Sequence, residues 1–294
     1  MKKINGLISV KKITSMKVDG YARDIHEPQS EEEFVFTIKK FLKNQDNFFV
    51  IGKGSNVIFA EEVFDGTIIR NIHACDKIYI TETRGLHFFK KIYLYAGSSV
   101  PLQKLIRYCI DNNLEAPTFL QSVPGNVGGA LVMNAGTGVE KSLFVDKFVH
   151  KVKVFDGKSI FFLNHPECEF SYRSSIFQKT KNLFVLGAIF CFRKKNGNVS
   201  RKEVKERLLF TKEKQDHSFP NSGSIFNLNF IDLPQIRGKK IGGAMFSKKT
   251  PNWILNVENA KFSDVENLIK LALQEHSRLN LPLPKQEIKL LKNP

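Results

Sequence analysis

Apolar and polar positions alternate in short runs separated by glycine- and asparagine-rich turns. In "SEEEFVFTIKKFLKN", Phe34, Ile38, Phe41 and Leu42 recur at helical spacing and make one apolar face. Ser30 stands at the N-cap and Glu33 completes a capping box, which predicts a helix start there. β-Branched and aromatic runs predict strands at 47–51, 56–60 and 66–72, so the first seventy residues read as a small α/β unit. Residues 77–81 and 88–95 predict a hairpin. A helix follows from Ser99-Val100-Pro101, with Leu102, Leu105, Ile106, Cys109 and Ile110 facing inward. Strands return at 145–155, 159–163 and 183–193, the first two separated by an Asp156-Gly157 turn. Beyond Lys194-Lys195-Asn196-Gly197 the pattern changes to a charged helix over 200–214, and this change near 196–200 is the predicted domain boundary. Ser263 and Glu266 predict a second capping box, opening a helix through Leu268, Ile269, Ala272 and Leu273.

No apolar run approaches the ~20 residues of a membrane span, and the longest, Leu183 to Phe192, suits a buried strand. The apolar centre of the opening "MKKINGLISVKK" is too short for a signal peptide, so a cytoplasmic protein is expected. Cys75, Cys109, Cys168 and Cys191 show no CxxC and no regular spacing, which argues for reduced thiols and against a metal site. The net charge of +16 raises nucleic acid as a partner. Most of that charge is lysine scattered in pairs, with no basic block interleaved with aromatics, so no nucleic-acid partner is expected. A positive field of this kind still recruits small anions.

Two glycine segments carry the candidate chemistry. Gly52-Lys53-Gly54-Ser55-Asn56 lies between apolar runs, either a cradle for a phosphate or a tight turn between strands. A strand-like run, Val57-Ile58-Phe59, follows it, so neither the dinucleotide fingerprint nor the P-loop fits, since both lead into a helix. "SVPGNVGGALVMNAG", Ser122 to Gly136, is either a buried turn or a second cradle. In the second case Val127-Gly128-Gly129-Ala130 would place bare backbone N–H groups at a helix start, where a pyrophosphate is favoured.

With "TSMKVDGYA", "GKGSN" and "VPGNVGGALVMNAG", followed by "FSYRSSIF", "SGSIF", "KKIGGAMFSKK", "NWILN" and "EIKLL", the chain resembles the UDP-N-acetylenolpyruvoylglucosamine reductase family along nearly its whole length. The resemblance implies an α+β fold: an FAD-binding domain of the vanillyl-alcohol-oxidase/p-cresol-methylhydroxylase type, built of two subdomains, and a C-terminal α+β substrate domain. With the predicted boundary these become 1–195 (subdomains 1–71 and 72–195) and 196–294, the last strand able to return to the FAD domain. It implies non-covalent FAD, NADPH as co-substrate, no metal, and a UDP-sugar enolpyruvyl ether as substrate, in a monomer or weak oligomer.

In the same terms, Gly52, Lys53, Gly54, Ser55, Asn56 and Val57 contact FAD from one subdomain. Pro124, Gly125, Asn126, Val127, Gly128, Gly129 and Ala130 do so from the other, with Asn134, Ala135 and Gly136. Arg173 in "YRSSIF" matches the family's catalytic arginine, whose planar fork suits a carboxylate gaining charge. Ser224 in "SGSIF" matches the serine proton donor, and Glu287 in "QEIKLL" the C-terminal glutamate. The short spacing between Arg173 and Ser224 resembles the compact, type II branch. Asn227-Leu228-Asn229, Thr250-Pro251, Asn126, Asp19 and Lys285-Gln286 depart from the family pattern, more at the sugar-nucleotide side than at the flavin side. An FAD oxidase of the same fold acting on another small molecule is the alternative.

Overall fold

The computed structural model describes residues 3–4, 6–59, 63–85, 90–137 and 143–291. The first unit contains β1 (Lys3–Ile4), β2 (Leu7–Ser9), β3 (Tyr21–His26), α1 (Glu31–Asn44), β4 (Phe48–Ile51), β5 (Val57–Phe59) and β6 (Val63–Arg70). Five of these strands form a sheet in the order β1-β2-β3-β6-β4, with β3 and β4 both parallel to β6. The Ser30 hydroxyl accepts the Glu33 N–H at 3.1 Å and starts α1 where expected. The Glu33 carboxylate reaches back one residue beyond Ser30, accepting the Gln29 N–H at 2.8 Å. Phe34 and Ile38 of α1 share a core with Ile69 behind them and with Phe155 and Leu186 of the next unit. The helix is thus clamped between two sheets.

The second unit holds β7 (Ile78–Arg84), β8 (Lys91–Gly97), α2 (Leu102–Asp111), α3 (Val127–Val132), β9 (Val149–Phe155), β10 (Ile160–Asn164), α4 (Ile176–Lys179) and β11 (Phe184–Arg193). Its antiparallel sheet runs β10-β9-β11-β8-β7. The start of the strand expected at 88–95 and the end of that at 56–60 lie outside the described residues. The strand expected from 145 begins at Val149, because Val145–Phe148 winds into a 3-10 turn. All five inward residues read from α2 are buried. The charged helix, α5 (Gly197–Lys214), begins at Asn196, whose side chain accepts the Asn198 N–H at 2.9 Å. It packs on α2 and on the turn Thr118–Leu120 of the second unit. Its last turn reaches toward the C-terminal part, where the Lys249 ammonium donates to the Lys212 carbonyl at 2.8 Å and the Thr250 hydroxyl to the Lys214 carbonyl at 3.0 Å.

The third unit is a four-stranded sheet in the order β12-β15-β14-β13, built from β12 (Asn221–Ser224), β13 (Lys240–Ile241), β14 (Ala244–Phe246) and β15 (Trp253–Asn256), with α6 (Phe262–Arg278) against it. Ser263 does not cap α6; it lies inside the first turn. The Asp264 carboxylate takes the Lys261 N–H at 2.9 Å and the Gly243 N–H at 3.0 Å, which pulls the helix start forward and ties it to the sheet.

The glycine loop after β4 does not join neighbouring strands. β4 is the edge of the first sheet, whereas β5 pairs in parallel with the final strand, β16 (Lys289–Leu291). The loop therefore carries the chain from one sheet to another, and the C-terminal segment returns to its side.

Candidate functional site

Gly54 explains how the first loop leaves its sheet. Its φ is +67°, and a Cβ there would lie 2.1 Å from the Ile13 carbonyl oxygen. Only glycine tolerates both conditions. The Gly54 carbonyl accepts the Ser15 N–H at 3.0 Å, so the Thr14-Ser15-Met16 segment braces the loop from behind. Asn56 ties the loop forward. Its side-chain amide donates to the Glu287 carbonyl at 3.2 Å and lies 3.7 Å from Met133 Sδ, and its own carbonyl accepts the Lys289 N–H at 3.1 Å.

The second glycine segment faces the first. A Cβ on Gly52 would sit 3.7 Å from Asn126 Nδ2. The expectation of bare N–H groups over Val127–Ala130 is corrected here. Val127 N–H donates to the Val100 carbonyl, Gly128 N–H to the Ser98 carbonyl and Ala130 N–H to the Asn126 carbonyl, each at 2.9 Å. Packing explains Gly128, since a Cβ there would approach Ser98 Cβ to 2.8 Å. Gly129 differs. It is exposed, and a Cβ would meet nothing within 4 Å. Asn126 is 2% exposed and its Oδ1 has no hydrogen-bond partner, so a buried polar atom stands where the two loops meet. An unsatisfied buried acceptor calls for a donor. These features fit a polar group bound between the loops.

Asn134, Ala135 and Gly136 serve the neighbouring turn. Asn134, at φ +40°, donates to the Ser171 carbonyl at 3.1 Å while its Oδ1 accepts the Asp146 N–H at 3.2 Å. The Ala135 carbonyl accepts the Val145 N–H at 2.9 Å. Ser171 and Ser174 exchange N–H···O bonds of 3.0 and 3.1 Å, leaving Tyr172 and Arg173 at the tip of a two-residue turn. Arg173 has φ +54°, as the second central residue of a type II turn requires. Its Nη2 donates to the Gly136 carbonyl at 3.1 Å, and its guanidinium carbon lies 5.6 Å from the centre of the Tyr172 ring.

Arg173 and Glu287 come together from distant parts of the chain. Nε lies 3.0 Å from Glu287 Oε1, with only 16% and 14% of the two side chains exposed. The Nε–H is not aimed along that contact and lacks a hydrogen-bond partner, so the attraction is chiefly ionic. Burial raises the Glu287 carboxyl above the ordinary range, and the Arg173 charge only partly opposes this. Beside the pair is a cavity of about 240 Å³. Met133, Tyr172, Gln178, Leu228 and Lys285 are among its walls.

Ser224 is not among the residues lining that cavity. It ends β12 one residue before Ile225, whose carbonyl accepts the Glu287 N–H at 2.7 Å. Sequence reasoning assigned no role to Gln178. It also did not place together the two departures at Asn227-Leu228 and Lys285-Gln286. They lie side by side: Asn227 N–H donates to the Lys285 carbonyl at 2.8 Å and Lys285 N–H to the Leu228 carbonyl at 3.1 Å. Their common departure from pattern was the available signal.

Residues 23–160 match a family model described as an FAD binding domain, and residues 210–277 match the C-terminal domain of UDP-N-acetylenolpyruvoylglucosamine reductase. Relatives of that name include one from Thermosipho melanesiensis, 31% identical over 87% of this chain and 85% of its own. Another, from Caldanaerobacter subterraneus subsp. tengcongensis, is 32% identical over 89% of this chain and 84% of its own. The chain belongs to the UDP-N-acetylenolpyruvoylglucosamine reductase family. In fold it is similar to the crystal structure of UDP-N-acetylenolpyruvylglucosamine reductase from Thermus caldophilus, with a TM-score of 0.77 and 21% identity over 97% of this chain and 98% of that one. The α+β architecture expected from the resemblance is thus the one observed. In this reductase-family chain the FAD-binding match spans both glycine segments, and the C-terminal match spans Ser224. Arg173 and Glu287 fall outside both matched stretches and meet only through the fold.

Proposed function

We propose that this chain is an NADPH-dependent reductase that converts UDP-N-acetylenolpyruvoylglucosamine to UDP-N-acetylmuramate, with FAD held non-covalently between the two glycine segments. The observation that carries the reading is the largely buried Arg173–Glu287 pair at a cavity bordered by Met133, the residue that caps α3, the helix that the second segment opens. FAD, when bound, supplies the hydride that NADPH has delivered to it. Asn126 Oδ1 and the open flank at Gly129 are parts of the cradle available for it to contact.

The protein's own work is orientation, charge and one proton. Arg173 holds the enolpyruvyl carboxylate in its fork, where charge grows as the double bond is reduced. Glu287 keeps its proton more readily than an exposed glutamate, which lets it sit beside a second carboxylate without full repulsion. Ser224 gives a proton to the carbon next to the hydride-accepting one. The cavity walls at Leu228 and Lys285 limit which sugar nucleotide enters. Among the described residues no helix is long and apolar enough to cross a membrane. Kinship with the reductases, rather than that absence, leads the reading to a reaction in the cytoplasm.

Ser224→Ala separates the two halves of turnover. NADPH-dependent loss of flavin absorbance needs no proton at the substrate carbon and is expected to persist. Recovery of absorbance on adding the enolpyruvyl nucleotide should slow by roughly 10²–10⁴-fold, the range for a lost general acid. Recovery at the parent rate would remove Ser224 from the reaction and leave Glu287 or water as the proton source.

A further inference from the structure

Gln178 borders the cavity but has no part in the chemistry just described. It lies in α4, and its side-chain Nε2 donates to two backbone carbonyls, Val132 at 2.8 Å and Arg173 at 3.0 Å. Val132 ends α3, the helix opened by the second glycine segment. The same carbonyl also accepts the Ser175 hydroxyl at 2.7 Å. One amide therefore spans the helix on the cofactor side and the turn that presents the guanidinium.

Arg173 needs such a hold. Its φ of +54° is a conformation that residues other than Gly, Asn and Asp seldom adopt. The Ser171–Ser174 exchange closes the turn at its base and, through the Ser174 N–H, holds one edge of the planar peptide whose other edge is the Arg173 carbonyl. Gln178 fixes that carbonyl. Were the peptide to relax, the guanidinium would swing away from the Gly136 carbonyl and from Glu287, the two groups that now aim it.

We infer that Gln178 is a positioning residue for Arg173, holding the left-handed turn so that the guanidinium fork faces an anionic substrate. The inference rests on the function proposed above for the identity of that substrate. The chemistry demands two N–H donors on one short side chain. Methionine has the right length and no donor, and lysine supplies donors from a single nitrogen. Glutamate would oppose its oxygens to two carbonyl oxygens.

The test is a cycle on the FAD-loaded protein: Gln178→Met, Gln178→Lys and Gln178→Glu, each made in the parent and in Arg173→Ala. FAD content and the thermal midpoint report folding. With NADPH and the enolpyruvyl nucleotide, Gln178→Met should lower kcat/KM by at least about tenfold, since small misplacements of a catalytic group are costly. Gln178→Glu should lose more, and Gln178→Lys should regain most of the loss. In Arg173→Ala, Gln178→Met should change kcat/KM by less than about twofold, because the group it positions is gone. Equal losses in both backgrounds, or no loss in the parent, would overturn the inference. A second readout needs no turnover. Arg173 pulls the Glu287 carboxyl down, so Gln178→Met should raise the Glu287 titration, followed by carboxyl ¹³C NMR, in the parent and not in Arg173→Ala. An unmoved titration in the parent would also overturn it. A parent that never turns over the nucleotide, yet shows this shift, would refute the substrate and leave the positioning role standing.

Discussion

At the scale of single residues, Glu287 is a site carboxyl whose proton affinity is set by two opposed influences. Burial favours its neutral form and Arg173 favours its charged form, and burial wins. Its folded pKa therefore lies above its unfolded one. Between the two values the native protein binds more protons than the unfolded chain, so the Glu287 contribution to stability falls as pH rises through that interval. Urea unfolding of the parent and Glu287→Gln over a pH series tests the sign. The stability of the parent relative to the variant should decline from acid toward neutral pH; a rise would mean that the ion pair outweighs burial. The resemblance named Arg173 and Glu287 by their motifs, but nothing in "YRSSIF" disclosed that Arg173 is left-handed. That conformation depends on Asn134 and Gln178 reaching Ser171 and Arg173 from other segments. The three hydrogen-bonded N–H groups in Val127–Ala130 were equally hidden, because two of their acceptors, Ser98 and Val100, lie well back along the chain, before α2.

Helices were more legible than strand partners. The apolar spacing named all the buried residues of α2, and Phe34 and Ile38 in α1, since a helix satisfies its backbone locally. In α1, Phe41 and Leu42 are only half-buried, and the buried Thr37 falls outside the apolar pattern. Val57–Phe59 reads equally well as a strand, yet its partner is β16, at the far end of the chain. A strand's pattern states which face is apolar and leaves its neighbour open. Likewise, the glycines in a motif do not say which of them the fold needs. Gly54 and Gly129 answer oppositely. Gly54→Ala would combine a positive φ with a Cβ against the Ile13 carbonyl, and should lower the thermal midpoint of the FAD-free protein. Gly129→Ala meets open space and replaces a helical glycine, so the FAD-free protein should be as stable or gain up to about 1 kcal/mol. Where FAD lies along that open flank, as proposed above, the new methyl would meet it. FAD affinity, followed by fluorescence quenching, should fall in Gly129→Ala. An unchanged affinity would move the cofactor away from that flank.

At the scale of the molecule, the site belongs to no single unit. The first contributes the loop around Gly54 and Asn56, the second Asn126 and the Arg173 turn, and the returning C-terminal segment Glu287. Asn56 touches all three, through its own loop, Met133 and the Glu287 carbonyl. The order of the motifs along the chain carried the family and hence the α+β architecture. The convergence itself depends on β16 lying beside β5, which no local pattern announces. The most direct measurement follows flavin absorbance in the purified, FAD-loaded protein under anaerobic conditions, with NADPH added first and the enolpyruvyl sugar nucleotide second. NADPH should bleach the absorbance, and the nucleotide should restore it with formation of one equivalent of UDP-N-acetylmuramate. Bleaching that the nucleotide leaves unchanged, but that admitted oxygen reverses, would contradict the reductase function and favour an oxidase on the same fold.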